Sequence, residues 1–173
     1  GYDYIKNRML KQYKWGADFF VHSWDLPNQN TILDLYNPVS CCFEPQKDFL
    51  EETKHIDPTV YHNPNMEHFR TMYNSLSFYY SRKKSLDLRK EYENETGTKY
   101  DCVVSCRFDL GQMDKYNGGG FKYKVSEMNF YPELEMDYIY SAMWDQLNAG
   151  YADQWFYGSP ENMDVLATLY DKA

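Results

Sequence analysis

Two short groups of polar residues lie where apolar, strand-like stretches of the sequence end. His22, Trp24 and Asp25 form the first group, and Arg107 and Asp109 form the second. Because side chains alternate along an extended backbone, Arg107 and Asp109 are expected on the same side of the chain. A strand-end carboxylate can hold a divalent cation, and a nearby arginine can bind phosphate or pair with that carboxylate. Both groups are therefore candidate ligand-binding residues. For Arg107 and Asp109, the alternative interpretation is an ordinary salt bridge at the end of a strand.

Helices and short strands alternate along the sequence and must position these groups. Apolar runs predict strands over residues 18–25, 38–44, 100–108 and 153–158, with strand-like pieces at 128–131 and 138–143. Helical spacing of apolar residues predicts helices over 2–13, 31–36 and 65–94, and Ser159 and Pro160 are typical of the start of another helix. Ligands of open α/β sheets bind beyond the carboxyl ends of strands. With no internal repeat and no linker, residues 1–173 are predicted to form one α/β domain.

Three other features of the sequence are interpreted as structural. Residues 111–120 include three successive glycines but lack the flanking strand and helix of a phosphate-binding loop, so a flexible loop is predicted. The basic residues 82–84 on the long helix are interpreted as a solvated face. The four cysteines are predicted to be buried, reduced thiols, because they lie in apolar runs and lack the spacing of a zinc site; they are Cys41, Cys42, Cys102 and Cys106.

The charge balance excludes some classes of partner. The chain has 18 Lys and Arg against 26 Asp and Glu, a net charge of -8, which disfavours binding to nucleic acids and to anionic membranes. No apolar run is long enough for a transmembrane helix. Reduced thiols indicate the cytoplasm as the compartment.

Three segments together resemble a known enzyme family. Residues 19–25 (FFVHSWD), 100–110 (YDCVVSCRFDL) and 152–163 (ADQWFYGSPENM) look like segments of GT-A-type glycosyltransferases, in the same order and over most of the chain. The resemblance is closest to the enzymes encoded by large algal DNA viruses and by bacterial surface-polysaccharide loci. It implies a single GT-A-like, Rossmann-like mixed sheet, mostly parallel and flanked by helices.

The resemblance also implies a donor site. The family binds the diphosphate of a nucleotide sugar through Mn²⁺ or Mg²⁺ at an Asp-x-Asp motif, and here Arg107 replaces the first acidic residue, so only Asp109 is carried over as a metal ligand. His22, Trp24 and Asp25 would surround the nucleotide together with Arg107. The partners implied are a UDP- or GDP-type nucleotide-sugar donor and a glycan acceptor, in the cytoplasm of the cell or, for a viral protein, of its host.

Asp153 in the third segment is the candidate catalytic residue. An inverting enzyme needs a carboxylate to take the proton from the acceptor hydroxyl, whereas a retaining enzyme does not need this base. A capping or pairing role for Asp153 is the structural alternative. The function predicted is transfer of a hexose or deoxyhexose to a glycan.

Two departures from the family pattern leave a second interpretation open. The family begins with a β-strand whose loop contacts the nucleotide, whereas this sequence begins with a helical pattern at Tyr2. The parent protein is therefore expected to carry roughly 10 to 40 further residues upstream, the size of one βα unit. The missing strand and the missing acidic residue both permit a noncatalytic module that binds carbohydrate or nucleotide on the same scaffold.

Overall fold

The computed structural model describes residues 1–11, 16–54, 72–111, 113–115, 121–123, 128, 130–131, 133–142 and 154–172. The chain divides into two compact units. The first unit comprises Gly1–Phe19 and Lys99–Met163, and the second comprises Phe20–Thr98 and Asp164–Ala173. Each unit contains both helices and strands.

The described elements follow one another in chain order. The helices are α1 (Tyr2–Tyr4, continued by a π-helical segment over Ile5–Leu10), α2 (Gln29–Tyr36, preceded by a 3-10 turn over Leu26–Asn28), α3 (Leu50–Thr53), α4 (Met72–Thr96), α5 (Pro160–Ala167) and α6 (Leu169–Lys172). The strands are β1 (Phe20–Ser23), β2 (Ser40–Phe43), β3 (Val103–Cys106), β4 (Met113–Lys115), β5 (Phe121–Tyr123), β6 (Tyr140–Ser141) and β7 (Trp155–Gly158).

The second unit consists of a parallel strand pair covered by the longest helix. β1 and β2 pair in parallel, and the register places His22 opposite Cys42. Helix α4 packs against both strands. Its last turn closes at Gly97, which has a φ of 75° and donates its backbone N–H to the carbonyl of Glu93 at 2.9 Å. A left-handed residue after the last turn satisfies an otherwise free carbonyl, which is the role the sequence predicts for Gly97.

The first unit is built on an antiparallel sheet. Its strand order is β3-β7-β6, and the register of β3 and β7 places Cys106 opposite Trp155. Tyr157 on β7 is among the largest fully buried side chains. Ser159 follows β7, and its Oγ accepts the backbone N–H of Asn162 at 3.2 Å. This hydrogen bond confirms the predicted N-cap of the helix that begins at Pro160.

The predicted mixed α/β class is confirmed, and the strand pairing is more antiparallel than expected. Among the described strands, only β1 and β2 pair in parallel, while β3, β7 and β6 and the pair β4 and β5 are antiparallel. The prediction of a flexible loop over residues 111–120 is wrong at β4, which pairs with β5. A three-residue strand with a polar middle residue has no apolar periodicity, so only the backbone pairing reveals it. The single domain and the GT-A arrangement stay predictions.

Two predictions about side chains are also wrong. All four cysteines are free thiols, but Cys41 is exposed and the other three are only half-buried, because these short strands lie at sheet edges or alternate faces. Arg82 is buried rather than solvated, and its guanidinium lies 4.2 Å from the centre of the Phe78 ring. The apolar stem and planar head of arginine allow this packing against aromatic rings.

Within the described residues, no helix combines the length and apolar character needed to cross a membrane.

Candidate functional site

In the second unit, the ends of the parallel strands bring together a histidine, a cysteine and a carboxylate. His22 lies on β1 directly opposite Cys42 on β2. Glu44 follows two residues after Cys42, and alternation along the strand therefore puts both side chains on the same face. The backbone N–H of Glu44 donates to the carbonyl of Ser23 at 3.3 Å, which extends the pairing of the two strands. We call His22, Cys42 and Glu44 the His-Cys-Glu cluster.

The cluster is compact and half enclosed. His22 Nε2 lies 3.0 Å from Glu44 Oε1, and the side chain of His22 is 1% exposed while that of Glu44 is 31% exposed. One ligand-type atom from each of the three residues lies within 4.8 Å of the others. Among the residues that the structure describes, this is the one group of three or more His, Cys, Asp or Glu side chains close enough to hold a metal ion.

Aromatic rings form one side of this cluster. The Trp24 ring meets the edge of the His22 ring with centroids 4.5 Å apart, and it stacks on Tyr80 of α4 at 5.2 Å. Tyr80 also interacts with Glu44, and burial together with this carboxylate raises the pKa of the Tyr80 hydroxyl. Helix α4 thus supplies both an aromatic surface and a polar contact to residues at the strand ends.

Burial and hydrogen bonding set the protonation states in the cluster. Burial lowers the pKa of His22, although the hydrogen bond to Glu44 opposes this shift, so the imidazole is neutral at pH 7. Burial by itself raises the pKa of Glu44, but the hydrogen bonds from His22 and Tyr80 outweigh it and lower the pKa overall. Burial and the nearby Glu44 raise the pKa of the Cys42 thiol. The resting cluster therefore contains a neutral imidazole, a carboxylate and a thiol.

Two lysines lie against the same aromatic group. The Lys84 Nζ is 5.4 Å from the centre of the Tyr80 ring, and the charge of Lys84 acts on both Glu44 and Cys42. Lys47 Nζ lies 5.2 Å from the Tyr80 ring centre, at the distance of a cation–π contact. The predicted solvated face of residues 82–84 is thus partly a packing surface.

Lys47 is held in place by its own polar contacts. Its Nζ donates to the hydroxyl of Tyr170 at 2.8 Å and pairs with Glu52 at 2.7 Å. The hydrogen bonds to Glu52 and Tyr170 raise the pKa of Lys47 above its ordinary value. Lys47 is thus a fixed positive charge that ties α3 and α6 together within the second unit.

Asp25, the third predicted residue of this region, has local partners. Its Oδ2 accepts a hydrogen bond from the amide of Asn28 at 2.8 Å, and its backbone N–H donates to Ser23 Oγ at 3.0 Å. These contacts shape the turn that leads from β1 into the 3-10 segment. The structure therefore groups His22 with Trp24, and it places Asp25 in the turn that follows.

In the first unit, Arg107 and Asp109 form a two-point ion pair immediately after β3. Arg107 Nε donates to Asp109 Oδ1 at 2.9 Å, and the terminal Nη2 donates to Oδ2 at 2.7 Å. The two side chains meet as predicted, but across a turn and not along an extended backbone, since the backbone N–H of Leu110 donates to the carbonyl of Arg107 at 3.3 Å. The side chain of Arg107 is 42% exposed, so its guanidinium remains accessible to a ligand.

The residue immediately before β7 contacts the backbone of Arg107. The backbone N–H of Arg107 donates to the carbonyl of Gln154 at 3.2 Å. Gln154 belongs to the third segment quoted above, and Arg107 belongs to the second. The antiparallel pairing of β3 with β7 therefore joins two segments that are far apart in the sequence.

The residues described around Asp109 do not fit a cation site held by the protein alone. Both carboxylate oxygens of Asp109 accept from Arg107, and Asp109 belongs to no group of three metal-type ligands among the described residues. A positive guanidinium at this distance disfavours a bound cation. A cation at Asp109 would need most of its ligands from elsewhere.

Several predicted residues lie outside the described part of the chain. They are Asp153, the candidate base, and Gly118, Gly119 and Gly120 of the predicted loop. Conversely, the sequence reasoning missed Glu44 and Tyr80 as partners of His22. The alternation of Cys42 and Glu44 at the end of a predicted strand was a usable signal, whereas the contact with Tyr80 depends on how α4 packs.

Comparison with known proteins finds no match among family models, curated proteins or solved structures.

Proposed function

We propose that this chain is a glycosyltransferase domain that moves a hexose or deoxyhexose from a nucleotide-diphosphate sugar to a glycan acceptor, on a GT-A-like arrangement. The proposal begins from the resemblance of three sequence segments. The observation that supports it best is the hydrogen bond from the Arg107 N–H to the Gln154 carbonyl. A donor-binding segment and a segment carrying the base must lie together in such an enzyme, and the pairing of β3 with β7 supports this for two of the three segments.

Arg107 is the residue assigned to the donor diphosphate. Its planar guanidinium can bind two phosphate oxygens at once, and its exposure leaves it accessible. In the free protein Asp109 holds this guanidinium in one orientation. On donor binding the guanidinium exchanges part of this pairing for the phosphate oxygens, which makes Asp109 a positioning residue.

The Mn²⁺ or Mg²⁺ ion that the resemblance implies is a separate part of the proposal. Because both carboxylate oxygens of Asp109 accept from Arg107, the proposed reaction gives no role to a metal ion held by Asp109 alone. A divalent ion that arrives with the donor would be held mainly by the diphosphate oxygens. Positive charge from Arg107 can stabilise the leaving diphosphate without it.

Asp153 is proposed as the general base. It precedes Gln154 in the sequence, and in an inverting reaction its carboxylate would take the proton of the acceptor hydroxyl as that oxygen attacks the anomeric carbon. His22, Trp24 and Asp25 stay predicted donor-binding residues. A cytoplasmic location also belongs to the proposal, since the four thiols are free.

Thermal unfolding with nucleotides tests the binding part of the proposal. UDP, GDP, CMP and TDP are each added with and without Mn²⁺. A ligand at about 100 times its dissociation constant stabilises a protein by about 2.7 kcal/mol, which raises the melting temperature of a chain of this length by roughly 5 to 11 °C. We expect such a shift with one nucleoside diphosphate. The absence of a shift with every nucleotide would contradict the proposal.

Variants of Arg107 test its assigned role. Arg107→Ala is expected to weaken diphosphate binding by roughly 10- to 150-fold, because a hydrogen-bonded charge contributes about 1.5–3 kcal/mol. Arg107→Lys keeps the charge but loses the two-point geometry, and an intermediate effect is expected. The matched control is Lys99→Ala, an exposed basic residue of the same unit. Equal binding by wild type and Arg107→Ala would exclude Arg107 from the donor site.

Asp153→Asn separates an enzyme from a binding module. With the donor identified by thermal shift, release of the nucleoside diphosphate is measured in the presence of glycan acceptors. The variant is expected to keep the nucleotide-dependent shift and to lose transfer, while the exposed control Asp137→Asn keeps both. Nucleotide binding by the wild type without any transfer would favour the noncatalytic alternative.

A further inference from the structure

We propose that the His-Cys-Glu cluster of the second unit binds a zinc ion. The proposal rests on the placement of His22, Cys42 and Glu44; it requires no glycosyltransferase activity, and it gives His22 a role other than the predicted contact with the nucleotide. Imidazole nitrogen, thiolate sulfur and carboxylate oxygen are the three ligand types that zinc takes in proteins. The parallel register and strand alternation bring one of each type to the same face of the β1–β2 pair.

The distances within the cluster suit a zinc ion after a small adjustment of side chains. Zinc bonds of about 2.0–2.3 Å at a tetrahedral centre place neighbouring ligand atoms roughly 3.3–3.6 Å apart. His22 Nε2 and Glu44 Oε1 are already 3.0 Å apart, and all three ligand atoms lie within 4.8 Å. Rotation of the Cys42 side chain can supply the remaining movement, since Cys42 is only half-buried.

Zinc binding requires the ring proton of His22 to change its position. Glu44 is a carboxylate and can only accept, so His22 Nε2 must carry the ring proton when it contacts Glu44. The lone pair then lies on Nδ1, which is buried and has no hydrogen-bond partner in the described structure. A zinc ion shared with Glu44 takes the lone pair of Nε2, so the ring proton moves from Nε2 to Nδ1 and the imidazole stays neutral.

Charge and protons balance on binding. Zinc forms bonds to one imidazole nitrogen, to the Cys42 sulfur and to a Glu44 oxygen. The Cys42 thiol releases its proton to solvent, and the imidazole stays neutral and keeps one proton. The ammonium of Lys84 opposes the cation but favours the Cys42 thiolate, and the two negative ligands match the charge of zinc. A fourth position remains for water on the exposed side of Glu44.

The ligand set distinguishes this site from a magnesium or manganese site. Mg²⁺ and Mn²⁺ prefer oxygen ligands, whereas thiolate and imidazole select zinc and its neighbours in the transition series. Tyr80 of α4 also interacts with Glu44 and can help to orient this ligand. Trp24 stacks on Tyr80 and screens the same side of the cluster.

Metal titration of the purified, metal-free protein is the first test. Co²⁺ serves as a spectroscopic substitute for zinc, and a thiolate ligand produces a charge-transfer band in the near ultraviolet. We expect one equivalent of Co²⁺ to produce this band in the wild type and Zn²⁺ to remove it by displacement. Cys42→Ser should abolish the band and weaken zinc binding by more than about 100-fold. Loss of a residue that only orients a ligand costs less, about 10- to 100-fold. Cys41→Ser, at the adjacent exposed thiol, should leave both unchanged.

Thiol protection supplies a test that needs no variant. The protein is alkylated with and without one equivalent of Zn²⁺, and the modified cysteines are located by mass spectrometry. Zinc is expected to slow modification of Cys42 at least tenfold while Cys41 reacts at an unchanged rate. Equal protection of the two thiols, or no band and no protection, would overturn the proposal. Because neither readout uses nucleotides or glycans, failure here leaves the proposed function untouched.

Discussion

Gly111 and Gly97 both have a positive φ, but only Gly111 is crowded. Their φ angles are 71° and 75°, in the region that favours glycine. A Cβ added at Gly111 would lie 2.5 Å from ring atoms of Tyr4, whereas one added at Gly97 meets nothing within 4 Å. The Tyr4 ring is itself tied down, since its hydroxyl donates to the carbonyl of Met128 at 2.9 Å. Gly111 therefore carries both a conformational and a packing requirement.

Alanine substitutions at these two glycines should lower the free energy of unfolding by different amounts. Gly97→Ala is expected to lower the free energy of unfolding by about 1–2 kcal/mol, the strain of a left-handed residue with a side chain. Gly111→Ala adds the cost of moving Tyr4, and overpacking costs about 1–3 kcal/mol more. Urea unfolding of the two variants measures the difference. Equal losses in the two variants would show that Tyr4 moves away freely.

Single residues also show where sequence reasoning succeeded and where it stopped. Arg107 and Asp109 are only two positions apart, so their contact could be anticipated from the sequence, although it forms in the turn after β3 and not along an extended strand. The contact between His22 and Glu44 joins two strands and depends on their register. No local pattern states a register, which explains why Glu44 was missed.

At the scale of elements, the buried side chain of Arg89 on α4 pairs with one carboxylate on its own helix and with another, in the same unit, on α5. Arg89 of α4 contacts Glu93 one turn later and Asp164 on α5. The side chains of Arg89 and Glu93 are 3% and 9% exposed. Removing one partner of a buried pair leaves the other charge without compensation.

Arg89→Ala should therefore be strongly destabilising. The expected loss of unfolding free energy is about 3–5 kcal/mol, because Glu93 remains buried. Lys90→Ala is the matched control, since Lys90 also pairs with Asp164, at 3.0 Å, but is mostly exposed. Lys90→Ala should lower the free energy of unfolding by less than about 1 kcal/mol. Chemical denaturation followed by circular dichroism compares the two, and a loss for Arg89→Ala no larger than that for Lys90→Ala would contradict the assignment.

The elements themselves were largely predictable. β1, β2, β3 and β7 lie within the predicted strands, and α2, α4 and the cap at Ser159 lie where periodicity and capping residues indicate. β4 was not predictable, because its pairing with β5 supplies the hydrogen bonds that define it. Antiparallel pairing of β3 with β7 was likewise hidden, since strand direction is set by the path of the intervening chain.

At the scale of the whole molecule, net charge is the property that governs behaviour in solution. The charge of -8 at pH 7 arises from an excess of carboxylates, which keeps molecules apart by repulsion. Carboxylates take up protons as the pH falls, and the isoelectric point is near 5.0. Electrostatic repulsion between molecules is therefore weakest near pH 5.

Turbidity against pH should follow this charge. A solution that is clear at pH 7 is expected to become turbid near pH 5 and to clear again when returned to pH 7. The sign follows from protonation, since lowering the pH removes negative charge until the net charge reaches zero. Light scattering between pH 7 and pH 5 measures this association. A solution that stays clear through pH 5 would show that unequal charge distribution, rather than net charge, controls association.

The sequence by itself determined most of the helices, most of the strands, the cap at Ser159 and the proximity of Arg107 and Asp109. All of these depend on residues within a few positions of one another, where periodicity and side-chain chemistry act directly. Only the tertiary structure decided that His22 meets Cys42 and Glu44, that Tyr80 contacts the same cluster, and that Arg107 lies beside Gln154. Those contacts depend on strand register and helix packing, which arise from the combined burial of many side chains and have no local signal in the sequence.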